Sequence, residues 1–343
     1  MTEHNWIKAI LTPFSWVYGL ITLLRNFLYD TGISTSGVSP LFTISVGNLT
    51  VGGTGKTPVV EYLTKLLSQN KKPAILSRGY GRKTKGLFFA DHASTSSDIG
   101  DEPLQYFLKF GKNIVVAVCE KRINGAIAIK ARYPDCNILL LDDAYQHRGI
   151  QRDVNILLSD YNRPFYMDLP FPAGRLRETR GGANRADGII VTKAPEHLSK
   201  AERDEIRKSI RKYSRPEVPI FFTSIRYAQP VGYDSSPVLL KKVIIAAGIA
   251  NPHPFTAYLR TQYHVIEEII FPDHHNYTHT DLERLIQNIK NDTFVLTTEK
   301  DMVKLKTLAT QSGVLDRFAY LPMEINFGSD TEAFNQWITQ NTL

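Results

Sequence analysis

The stretch Gly47-Asn48-Leu49-Thr50-Val51-Gly52-Gly53-Thr54-Gly55-Lys56-Thr57-Pro58 constrains the fold of this 343-residue chain more than any other. Before it, Leu41 to Val46 alternates and ends on β-forming residues; after it, Val59 to Leu67 carries apolar residues at helical spacing. A glycine-rich turn between strand and helix is a P-loop. Gly52, Gly53 and Gly55 let the backbone curl its N–H groups inward, with Thr54 between them, and the following helix adds the positive end of its dipole. Lys56 is then placed to bridge β- and γ-phosphates, and Thr57 to hold Mg²⁺ through its hydroxyl. The general pattern wants glycine at position 50, where this chain has Thr50.

Strand-like runs recur at Pro73 to Ser77, Asn113 to Cys119, Asn137 to Leu141, Val154 to Leu158 and Gly188 to Thr192, several with helical patterns between them. That alternation predicts an α/β fold with a mostly parallel sheet covered on both faces. Ile220 to Tyr227 reads as one further strand. A second α/β set follows at Lys242 to Ala247, His264 to Phe271, Thr293 to Thr298 and Phe318 to Phe327, closed by a helix from Thr331. The expected organisation is an N-terminal membrane-associating helix over 1–30, a P-loop domain over 31–219 and a hinge strand with linker over 220–230. A smaller C-terminal α/β domain over 231–318 and a return strand with terminal helix over 319–343 complete it.

Trp6 to Tyr29 is almost wholly apolar, but its uncharged run is shorter than the ~18–20 residues of a comfortable span. Lys8, Thr12, Ser15, Gly19, Thr22 and Asn26 form one narrow stripe on a helical wheel, leaving a wide apolar face. Three readings stay open: an interfacial membrane helix, a helix packed on its own protein, and a signal or anchor. The net charge of +7 suits anionic partners without choosing among them, and no basic run with interleaved aromatics points to nucleic acid. Cys119 and Cys136, the only cysteines, read as buried reduced thiols.

Asn137 to Asp143 has the form of a Walker B strand, whose acids Asp142 or Asp143 would reach Mg²⁺ directly or through water. Gln146 and His147 sit at the same strand end, where α/β ligand sites form, although His147 also suits a plain loop role. Gly100-Asp101-Glu102-Pro103 opens a helix. There Asp101 is either a simple N-cap or, with Glu102, a carboxylate pair for proton transfer and Mg²⁺ ordering. Ser77-Arg78-Gly79-Tyr80-Gly81-Arg82 is a basic hinged loop, able to grip phosphate or merely solvated. Arg175 and Arg177 lie on a Pro/Gly-bent loop suited to an anionic substrate or to surface ion pairs. Asp273-His274-His275 follows a strand directly; a histidine completing a site across a cleft suits the position better than a metal centre.

Together these segments, with Leu176-Arg177-Glu178, Ala247-Gly248-Ile249, Asn251-Pro252 and Thr298-Glu299-Lys300-Asp301, closely resemble the tetraacyldisaccharide 4′-kinase family over nearly the whole chain. The resemblance implies an ATP- and Mg²⁺-dependent lipid kinase at the cytoplasmic face of the bacterial inner membrane. Its substrate would be an acylated glucosamine disaccharide, and no obligate protein partner is evident. Asp101 would be the base, His274 its partner and Lys56 a catalytic cation. Phosphate would be held by residues 52–57, and Mg²⁺ by Thr57 with Glu102, Asp142 or Asp143. Arg78, Tyr80, Gln146, His147, Arg175 and Arg177 would face the lipid headgroup, and the C-terminal domain would close over a hinge of two strands. Ala144, Arg175 and Ala250 depart from the residues common in the family. The rival reading is a membrane-associated P-loop ATPase switch, which usually carries lysine immediately before the double glycine; here that residue is Val51.

Overall fold

The computed structural model describes residues 5–290 and 292–342. After the N-terminal helix α1 (Asn5–Asp30) come β1 (Phe42–Asn48), α2 (Lys56–Leu67), β2 (Pro73–Ser77), β3 (Phe88–Phe89), α3 (Ser96–Ile99), α4 (Asp101–Phe110), β4 (Val115–Val118) and α5 (Arg122–Arg132). The first half continues with β5 (Ile138–Asp142), β6 (Val154–Asp160), β7 (Gly188–Thr192), α6 (Lys200–Arg211) and β8 (Ile220–Phe222). These strands form one sheet of order β3-β4-β2-β5-β1-β6-β7-β8, parallel except at β3. The central strands are buried on both faces; β5 accordingly reads as an unbroken apolar run from Ile138 to Leu141, while β1 and β6 bury Thr43, Ser45, Asn155 and Ser159 among their apolar residues. β1, β5 and β6 are neighbours, so the P-loop and the acids after Leu141 emerge side by side at one sheet edge.

The remaining elements are β9 (Ser224–Tyr227), β10 (Val231–Gly232), β11 (Lys242–Ala247), α7 (His253–Gln262), β12 (His264–Ile270), α8 (His279–Ile286), β13 (Thr293–Thr298), α9 (Glu299–Gln311), β14 (Phe318–Leu321), β15 (Met323–Asn326) and α10 (Thr331–Asn341). A second sheet has the order β10-β14-β13-β11-β12. The run Ile220 to Tyr227, expected as one strand, is two: β8 closes the first sheet, while β9 pairs antiparallel with β15. Phe318 to Phe327 divides in the same way, because Pro322 lacks the N–H needed to continue a ladder. β14 joins the second sheet and β15 leaves it for β9, after which α10 returns to the first sheet. There Phe334 and Ile338 enter the same core as Ile44, Val59 and Phe221.

The N-terminal helix inverts the usual amphipathic arrangement. Its narrow polar stripe is the docked face, with Ser15 1% and Asn26 7% exposed, whereas Trp16 is 71% and Leu20 67% exposed. Polar partners explain the choice. Ser15 Oγ accepts from the Ala173 N–H at 2.9 Å, the Tyr18 hydroxyl donates to the Arg177 carbonyl at 3.0 Å, and Asn26 Nδ2 donates to Glu178 Oε2 at 2.7 Å. Arg148 adds bonds to the Asn26 carbonyl and to Asp30. The helix is long and apolar enough to cross a membrane by length and composition. Cys119 and Cys136 are buried free thiols, as expected.

Candidate active site

The P-loop glycines meet the backbone demands that their spacing implies. Gly52 and Gly55 hold φ of 115° and 81°, and Gly55 directly precedes α2. Thr50 needs no such freedom, because it lies extended and bridges Leu176, with Val51 N–H donating to the Arg175 carbonyl at 2.8 Å. The loop is braced from β1, from β7 and from the segment after β5. Asn48 Nδ2 donates to Thr54 Oγ1 at 2.7 Å, Gln146 Nε2 to the Asn48 carbonyl at 2.9 Å, and Thr192 Oγ1 to the Thr54 carbonyl at 2.8 Å. Lys193 Nζ also bonds the Gly53 carbonyl and, at 2.7 Å, Asp160. Such bracing presets the cradle before any phosphate arrives.

The two acids at the tip of β5 divide sharply. Asp143, at φ 47°, receives Arg177 Nη1 at 2.8 Å and lies 3.7 Å from Lys56 Nζ. Burial alone would raise its carboxyl, but Lys56 and Arg177 outweigh that and hold it below the usual range. Asp142 is buried, and neither of its oxygens has a partner in good hydrogen-bond geometry, although the Tyr106 hydroxyl lies close enough to favour the ionised form slightly. Burial, then the charges of Glu102 and Asp143, push its carboxyl well above the usual range. A buried carboxylate left in this state is costly unless a cation completes it, so of the candidate acids Asp142 fits Mg²⁺ best; Thr57 lies in the first turn of α2. Among the described residues no group of three or more His, Cys, Asp or Glu side chains is placed to hold a metal ion by itself. Mg²⁺ commonly takes only one or two protein carboxylates and completes its shell with phosphates and water.

Asp101 is not an N-cap. That place belongs to Gly100 at φ 92°, where a Cβ would stand 2.8 Å from the Tyr80 carbonyl. Asp101 therefore sits in the first turn of α4, with its side chain reaching the second sheet. Oδ2 lies 3.2 Å from His274 Nδ1 and 2.8 Å from Lys304 Nζ. An ionised carboxylate can only accept, so Nδ1 carries the proton of that contact. Burial opposes ionisation of Asp101, but His274 and Lys304 overcome it and hold the carboxyl low. The same hydrogen bond raises His274. Glu102 pairs with Lys300 Nζ at 3.0 Å; burial would raise it, and Lys300 with Lys56 keeps it ionised.

Of the adjacent histidines, His274 faces Asp101 from a left-handed backbone, φ 58°. His275 turns away to Asp281 at 3.0 Å, at the start of α8. Asp301 holds the intervening loops by accepting from the Gly248 N–H, the Tyr277 hydroxyl at 2.8 Å and Thr298 Oγ1 at 2.6 Å. Tyr80 is exposed and edge-on to His274, with Arg78 and Arg175 also exposed. Arg177 is committed to Asp143, and Gln146 to Asn48 and Glu178. His147 is pushed down to about 4 by burial, then by Arg122, Arg152 and Arg78, so it is neutral at pH 7. Sequence reasoning quoted Lys300 only within a family segment, without a role, and did not single out Lys304. The spacing of Lys300 and Lys304 by four residues, one helix face, was the available signal.

A match to the family described as tetraacyldisaccharide-1-P 4′-kinase covers residues 7–342. The tetraacyldisaccharide 4′-kinase of Cytophaga hutchinsonii is 41% identical over 332 residues, covering 95% of this chain and 93% of that protein. Its counterpart in Flavobacterium johnsoniae is 42% identical over 341 residues, 98% of this chain and 97% of the relative. Among solved structures, LpxK from Aquifex aeolicus in complex with ATP aligns with a TM-score of 0.79 at 28% identity, over 98% of this chain and 100% of that one. The chain therefore belongs to the tetraacyldisaccharide-1-P 4′-kinase family.

Proposed function

We propose that this chain transfers the γ-phosphoryl group of MgATP to the 4′-hydroxyl of a tetraacyl glucosamine disaccharide 1-phosphate. The observation that carries the reading is the family match over residues 7–342. The braced P-loop, the buried Asp142 and the Asp101–His274 contact support it with the parts such a reaction needs. Bound Mg²⁺ would neutralise charge on the transferring phosphates, with Thr57 and Asp142 as its protein contacts and Glu102 and Asp143 nearby. Lys56 and the N–H groups of residues 52–57 bind phosphate and hold the donor in place. Asp101, oriented by His274, accepts the hydroxyl proton as the new O–P bond forms and the bond to the β–γ bridging oxygen breaks, releasing ADP.

Arg78, Tyr80 and Arg175, exposed near this edge, and Gln146 and His147 are the proposed headgroup contacts; His147 acts as a neutral hydrogen-bonding group. The exposed face of α1 supports a lipid surface at the cytoplasmic side of the inner membrane as the place of reaction. The division at the two strand crossings supports a P-loop domain and a C-terminal domain joined by β9 and β15. An ATPase switch is not favoured, given the family and Val51 before the double glycine.

The test is to incubate the purified protein with γ-labelled ATP and Mg²⁺, with the disaccharide 1-phosphate or without acceptor. Label in the lipid supports the reading; ATP hydrolysis that ignores the lipid overturns it.

A further inference from the structure

α9 presents Lys300 and Lys304 from one face to the first turn of α4, and the two lysines divide the two acids there: Lys300 takes Glu102 and Lys304 takes Asp101. Lys304 is mostly covered, with its side chain 10% exposed, and its ammonium makes a second contact, donating to the His275 carbonyl at 3.2 Å. It therefore ties α4 to the loop that carries His274. The loop partner is fixed in turn, since His275 is held by Asp281 and the backbone N–H of His274 donates to the Gly248 carbonyl at 3.2 Å. A lysine with two directed contacts in a covered place has lost most of its rotamer freedom, unlike the general run of surface lysines.

The distribution of contacts on Asp101 is uneven. Oδ2 takes both Lys304 and His274, while Oδ1 has no hydrogen-bond partner among the described residues. A carboxylate with one oxygen held from two directions cannot rotate about its Cβ–Cγ bond without breaking a charge-assisted bond. Resting on the proposed kinase reaction, we propose that Lys304 is a positioning residue for proton acceptance: it pins Oδ2 of Asp101, leaving Oδ1 as the oxygen that takes the proton of the sugar hydroxyl. In that step the hydroxyl O–H bond breaks, its electrons form the O–P bond, and the β–γ bridging oxygen leaves with ADP. Asp101 then returns its proton to water. Because Lys304 belongs to α9, the base is fully held only where the second sheet lies against α4.

The reach of Lys304 is distinct from that of His274. His274 approaches from an exposed loop through a 3.2 Å contact, whereas Lys304 approaches from a helix through a 2.8 Å contact. Loss of the lysine leaves the histidine bond, but frees the carboxylate to turn about it. Misplacement of a reacting group by about 1 Å can cost on the order of 10²-fold in rate.

The experiment measures kcat and KM for lipid and for ATP in the full chain, for wild type, Lys304→Met, Lys304→Arg, Asp101→Ala and the Asp101→Ala/Lys304→Met double variant. Lys304→Met is expected to lower kcat by about 10- to 100-fold with KM for ATP within about twofold. Lys304→Arg, which keeps charge and donors, is expected to recover most of the loss, and Lys304→Met is expected to add nothing in the Asp101→Ala background. A Lys304→Met kcat within twofold of wild type, or a loss that multiplies with that of Asp101→Ala, overturns the assignment. If circular dichroism shows Lys304→Met unfolded, Lys304→Gln takes its place, with the same two outcomes. Wild type unable to label the lipid would instead defeat the proposed reaction itself, so the two failures are distinguishable.

Discussion

The second sheet meets the first through two contacts of opposite chemistry. On one side, β15 and α10 form an apolar strap: Phe334 stacks on Phe327 at 4.1 Å, meets Phe221 edge-on at 5.1 Å, and lies near Tyr62 and Trp337. On the other, α4 and α9 meet along a seam that carries ion pairs, Lys109 with Glu61 and Glu299, Lys300 with Glu102, and Lys304 with Asp101, beside a buried apolar cluster that joins Ile99 and Leu104 to Met302 and Val303. Apolar burial is non-directional and involves no titrating group, so the strap suits a permanent attachment. Ion pairs return little net energy after desolvation but fix directions strongly. The seam therefore contributes geometry, and the proposed base and its partners lie in it.

The largest expected effect is at the strap. Phe334→Ala removes a fully buried ring from the core shared with Val59 and Ile338 and is expected to cost about 3–5 kcal/mol of stability, read by urea unfolding. A cost below 1 kcal/mol would end the contrast, since the strap would then hold no better than the seam. The next effect separates the two by pH. Burial, and then the Glu299 charge, raise Glu61 to about 7 despite Lys109. Its folded pKa lies above the unfolded value, so its contribution is fully present below about pH 4.5 and is lost as pH rises through about 7. Glu61→Gln is expected to remove this loss, a difference of about 1–3 kcal/mol between pH 4.5 and 8 in parallel unfolding curves. Identical pH profiles for wild type and Glu61→Gln would contradict it. The smallest effect is at Lys300, whose pair with Glu102 is partly exposed. Lys300→Met is expected to cost no more than about 1 kcal/mol of stability. A loss several times larger would make the seam a structural element instead.

The same division explains what the sequence revealed. The first sheet was legible because its signals are local: alternation before Gly47, glycines at fixed spacing and a Walker B run ending at Asp142. Asp101 and His274 were legible as chemistry-bearing residues, but their meeting depends on α9 and β12 being brought beside α4, which no local pattern encodes. The docked face of α1 was hidden for a related reason. Ser15 and Asn26 turn inward because Ala173 and Glu178, some 150 positions away in the chain, offer partners to them. Thr223 and Pro322, where single predicted runs change sheets, showed their role only once the second sheet was in place.

The claim on which the rest depends is that the proposed base is assembled across the seam, from Asp101 on α4 and His274 beyond β12. It is tested most directly by kcat for Asp101→Ala, His274→Ala and the double variant, with ATP binding measured alongside. Each single variant is expected to lose roughly 10²-fold or more in kcat with ATP affinity little changed, and the double variant to be scarcely worse than the poorer single one. Losses that multiply in the double variant would show two independent residues, and a base built across the seam would be contradicted.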